Sequence, residues 1–153
     1  MDQYQTLSYM QLALNTNAVY TVGTLFILWA AFRFAGRLRE GESNVVGKVL
    51  TSIFGLMIIW NGLVLFGNRN YSISTATASL KSIKASGQAL GTQAEGLLNH
   101  PMMMKVAENN PQFGLFNDIP TVIFWLVVTL MLLGTIWMPV KSKKKKIVNA
   151  HLS

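Results

Sequence analysis

The chain has 153 residues, 51% hydrophobic and only 12% charged, with a formal net charge of +7. A soluble domain carries about 25% charged residues, and here the charges sit in short stretches between long uncharged runs, which excludes an ordinary soluble domain. The absence of cysteine excludes disulfides, thiolate metal sites and cysteine nucleophiles, and leaves the redox compartment open.

The pattern predicts an all-α integral membrane protein with three transmembrane helices. Residues 1–17 are uncharged apart from Asp2 and the terminal amine, and Tyr4, Leu7, Met10 and Leu14 recur at helical spacing. They form either a helix lying on the outer interface or an outward continuation of the first span. The spans themselves are expected at 18–36, 45–67 and 119–140. Crossing ~30 Å of hydrocarbon takes about 20 residues, which each run supplies. The first is the shortest and gains length if Arg33 snorkels to the headgroups. Nothing basic precedes it and no small-residue cleavage site follows before Arg37 and Arg39, so the sequence predicts a retained span and not a cleaved signal peptide.

Orientation follows from the flanking charges. Arg33, Arg37, Arg39 and Lys48 surround the short connection 37–44, and Lys141 and Lys143 to Lys146 lie in the tail 141–153. The other side has none in residues 1–17 and four in residues 68–118: Arg69, Lys81, Lys84 and Lys105. The positive-inside rule then puts the N-terminus out and the tail in the cytoplasm. The compartment is the plasma membrane, or the inner membrane of a Gram-negative bacterium. Trp29 and Trp137 fall near the inner span ends, while Trp60 and Trp125 lie toward the outer ends as interfacial anchors. Asn117 or Asp118 is placed to cap the third span, with Pro120 in its first turn.

The connection 68–118 is too long to be structureless in a compact protein. Ile73, Leu80, Gly87 and Ala94 fall seven apart, as do Ala76, Ile83, Leu90 and Leu97. This spacing predicts an extracytoplasmic amphipathic helix over about 72–98, with Ile73, Leu80, Ile83, Leu90 and Leu97 as its partner-facing stripe and a break midway at Gly87 and Gly91. His100-Pro101 ends it, Asn109-Asn110-Pro111 marks a turn, and Phe113, Leu115 and Phe116 dip into the outer interface.

Sites with chemistry are few. Between the flanks that carry Arg33 and Lys48 the spans hold no charged side chain, although intramembrane charges are the usual mark of transport or proton relay. In the second span Gly47, Thr51, Gly55 and Gly62 share one helix face, which favours close helix packing, and Asn61 is placed for an interhelical hydrogen bond. The blander reading of the glycines is ordinary membrane-helix composition. Lys143, Lys144, Lys145 and Lys146 form a solvated topological anchor or a contact with anionic lipid headgroups. His100 with Met102, Met103 and Met104 offers soft donors that suit copper(I), against a plainer reading as a flexible apolar patch; no other cofactor is expected. The six acids, Asp2, Glu40, Glu42, Glu95, Glu108 and Asp118, are scattered, so no catalytic carboxylate pair is expected, and phosphate loops and zinc spacings are absent.

These features predict a non-catalytic structural or accessory subunit of a larger membrane complex. Its partners are the lipid bilayer and other membrane subunits or copies of itself. The positive charge belongs to the tail and calls for no nucleic acid. A second expectation comes from architecture alone: three spans, N-out and C-in, with a basic tail resemble the holin topology of phage lysis proteins. That resemblance implies a self-assembling, membrane-permeabilising oligomer. A subunit of a copper-handling membrane enzyme is a third reading, resting on His100 and the three methionines.

Overall fold

The computed structural model describes residues 2–40, 44–100 and 111–138. Four helices account for most of them: α1 (Gln3–Glu40), α2 (Val45–Ala85), α3 (Thr92–Leu98) and α4 (Ile119–Trp137), with no strand among the described residues. Three of the four, α1, α2 and α4, are long and apolar enough to cross a membrane. In the most apolar stretch of each, only 22% of residues are buried. The large apolar side chains therefore mostly point outward, the reverse of a soluble helix.

α1 starts at a reciprocal cap. The Gln5 amide donates to Asp2 Oδ1 at 2.8 Å, the Asp2 amide donates to Gln5 Oε1 at 3.4 Å, and the Thr6 hydroxyl donates to the Asp2 carbonyl. This is the geometry of a capping box, which satisfies amides the first turn leaves open. No glycine or proline interrupts the chain from there to Gly23, and the helix runs unbroken for 38 residues. Residues 3–17 are thus a direct continuation of the first apolar helix.

α2 is capped by Asn44, whose side chain accepts from the Gly47 amide at 2.7 Å, and it runs for 41 residues. The expected boundary near residue 67 between a span and a separate amphipathic helix is absent. Gly67-Asn68-Arg69-Asn70 changes the polarity but contains no proline, and extending an existing helix costs far less than nucleating a new one. The break comes at Gly87, which adopts φ +82°, a left-handed conformation that glycine takes without steric cost. Its amide donates to the Lys84 carbonyl at 3.1 Å. The chain then turns back into the short α3, so residues 72–98 are divided between the end of α2 and α3, with the break at the glycines where the sequence placed it.

α1 and α2 make a long antiparallel hairpin. At 1.5 Å per residue they extend about 57 and 62 Å, against about 28 Å for α4. One half of the hairpin packs with α4 around Leu28, Ala31, Ala35, Ile58, Ile59, Trp125, Val128, Leu132 and Ile136. The other half projects past the start of α4 and holds α3 through Leu80, Ala94 and Leu98. In the projecting half the two long helices meet through small residues, with Thr6, Ser74, Ala76 and Thr77 all buried. The Thr77 hydroxyl returns to the Ile73 carbonyl, so its burial leaves no open polar atom.

α4 begins at Asp118 with Pro120 in its first turn. The Asp118 carboxylate accepts the Thr121 hydroxyl and caps no backbone amide. Before α4, Phe113 crosses α2 at Gly67, where an added Cβ would come within 2.8 Å of the ring.

Candidate helix-packing sites

The glycines of α2 divide by neighbour. A Cβ on Gly55 would overlap the Leu132 side chain, and one on Gly62 would overlap the Trp125 ring. The two contacts run in opposite directions along the helices, Gly55 to Leu132 and Gly62 to Trp125, as an antiparallel seam requires. Gly47 instead faces Asn44 of its own cap and Leu38 of α1, and Thr51 is half-buried. Gly55 and Gly62 are therefore occupied by the chain's own third apolar helix.

Trp125 does not serve as an interfacial anchor. It is 3% exposed, and its indole Nε1 is buried without a hydrogen-bond partner among the described residues. Leaving such a group open costs about 1–3 kcal/mol, which the large apolar area of the ring in the Gly62 notch offsets. Trp29, Trp60 and Trp137 are about half exposed or more. At the other end of the seam the Trp137 indole donates to Ser52 Oγ at 3.0 Å, and the Lys48 ammonium lies 5.8 Å from the Trp137 ring centroid. Arg33 sits similarly over Trp29 at 5.6 Å.

Between α1 and α2 an interhelical hydrogen bond is made by Asn17. Its side-chain amide on α1 donates to the Leu65 carbonyl of α2 at 2.7 Å, and its backbone carbonyl accepts the Thr21 hydroxyl. Ser52, Thr129 and Thr135 likewise return their hydroxyls to the carbonyl four residues earlier. Asn61 forms no such bond among the described residues. Its side chain is exposed and lines an open groove of about 600 Å³ with Ile53, Leu56, Met57, Trp60 and Val64. The sequence did carry a signal for Asn17, an amide at the edge of an apolar run, but nothing to rank it above Asn61.

In the projecting half, Leu80 is fully buried, and Ile83, Leu90 and Leu97 pack around it with Leu7 of α1. Ile73 is half-buried. This stripe is thus covered by the chain's own N-terminal segment and α3. A residue not singled out by sequence, Gln3, ties the two together: its side-chain oxygen accepts from the Gly91 amide at 2.8 Å, immediately before α3.

His100 is exposed just beyond α3. Met102, Met103 and Met104, which would complete the copper donor set, lie outside the described residues, as do Lys143, Lys144, Lys145 and Lys146. Among the described residues no group of three or more His, Cys, Asp and Glu side chains comes together. The geometry of the described residues is that of helix packing. Comparison with protein-family models, with characterised proteins and with solved structures finds no match for this chain.

Proposed function

We propose that this chain is a three-span membrane protein with its N-terminus and projecting hairpin outside, its basic tail inside, and a role as a non-catalytic structural or accessory subunit of a larger membrane complex. The observation that carries this reading is the continuity of α1 and α2. Two helices of about 60 Å, paired along their length and tied at the far end by Gln3 and Gly91, join a lipid-facing bundle to a projecting tip without a hinge. Such a strut fixes the distance and direction of whatever binds its tip relative to whatever binds its spans. It suits scaffolding, where rigidity counts and chemistry is supplied elsewhere.

A permeabilising oligomer has less support. A water-filled pore needs a continuous polar lining, and the exposed side chains over residues 22–32, 49–64 and 121–134 include one amide, Asn61, and no hydroxyl or charge. Native mass spectrometry of the protein, extracted from its own membrane in gentle detergent, tests the proposal. A defined set of other polypeptides at fixed stoichiometry is the expected result; a chain carrying lipid alone would overturn it.

A further inference from the structure

Asn61 is the anomaly of the lipid-facing surface. Its neighbour Gly62 packs on Trp125, the seventh residue of α4, so the amide lies about 9 Å inside the end of a helix about 28 Å long. On the three-span reading, on which this inference rests, that depth is hydrocarbon, where a polar group with no partner is costly. The surrounding positions 53, 56, 57, 60, 61 and 64 follow the i, i+3, i+4, i+7 rhythm of a helix-contact stripe. They lie apart from the α4 seam at Gly55 and Gly62.

We infer that this face of α2 pairs with the same face of a second copy of the chain, with the two Asn61 side chains hydrogen-bonded across a two-fold axis normal to the membrane. A carboxamide carries both donor and acceptor, so an identical amide satisfies it. Copies inserted in the same orientation hold Asn61 at the same depth, which sets the register at no added cost. An unrelated helix would need its own polar residue at that level. The contact is isologous, with each stripe meeting itself, and it closes at two subunits. This inference is independent of the accessory-subunit reading: a paired strut can still carry other subunits, and an unpaired one can too.

The chain contains no cysteine, so single cysteines report the pairing cleanly. Met57→Cys lies one turn from Asn61 on the stripe, and Leu130→Cys lies exposed on α4. In full-length protein reconstituted in liposomes and treated with a mild oxidant, Met57→Cys is expected to form an intermolecular disulfide at least about tenfold faster than Leu130→Cys. Adding Asn61→Leu should slow it by about fivefold or more, the scale of one interhelical hydrogen bond in a bilayer. Asn61→Gln should hold it within about twofold. Because Asn61 is exposed, Asn61→Leu leaves the fold intact, which an unchanged thermal unfolding curve verifies. Equal crosslinking at Met57→Cys and Leu130→Cys would overturn the proposal, as would indifference to Asn61→Leu, or occupation of this face by a different polypeptide.

Discussion

Single residues decide how closely α2 and α4 approach. Gly55 and Gly62 leave notches filled by Leu132 and Trp125, whereas Gly23 and Gly36 have nothing within 4 Å of an added Cβ. Gly62→Ala and Gly55→Ala should each destabilise the bundle by about 1–3 kcal/mol through overpacking. Gly23→Ala and Gly36→Ala should be neutral or stabilising by up to ~1 kcal/mol through helix propensity. Unfolding of the four variants in one detergent, followed by circular dichroism, checks the contrast; equal effects would mean the seam is misplaced. The small-residue face was legible in the sequence because four positions share one side of a helix. What fills it was not, since Leu132 and Trp125 lie more than sixty residues away. The same distance explains Trp125: a tryptophan near a span end reads as an interfacial anchor unless the notch opposite it is known.

The helices end where backbone geometry ends them. Apolar runs located all three long helices, because their large apolar side chains mostly point outward and stay uninterrupted by charge. It does not report helix termini, which is why α2 continues eighteen residues past Gly67 to Ala85. The glycine that does stop the helix was recognisable, and its neighbourhood makes a sharp test. Nothing lies within 4 Å of a Cβ at Gly87, so Gly87→Ala acts through its left-handed backbone alone. It should cost about 1–2 kcal/mol and loosen α3, seen as faster amide exchange at residues 92–98. Gln3→Ala removes the acceptor for the Gly91 amide. It should likewise raise exchange in α3, by a local opening of about 0.5–1.5 kcal/mol, while the bundle around Leu132 stays protected. Exchange that rises equally in α3 and α4 would show that tip and bundle unfold as one unit.

At the scale of the whole molecule, the projecting stripe that sequence periodicity assigned to a partner is covered largely from within, by Leu7, Ala94 and Leu98. A heptad stripe shows that a surface is buried without saying by what, and here the cover comes from the two ends of the same hairpin. The surfaces left for assembly are therefore the exposed apolar faces of the three long helices and the exterior of the tip. The account rests on a strut that crosses the bilayer once per long helix and stands clear of it on one side. Single cysteines at Ser8, Leu25, Arg39, Glu95 and Leu130, labelled with a membrane-impermeant maleimide in intact cells and again after permeabilisation, test this most directly. The account predicts labelling at Ser8 and Glu95 in intact cells, at Arg39 only after permeabilisation, and at Leu25 and Leu130 only after denaturation. Labelling of Arg39 from outside, or of Leu130 in the folded protein, would contradict it.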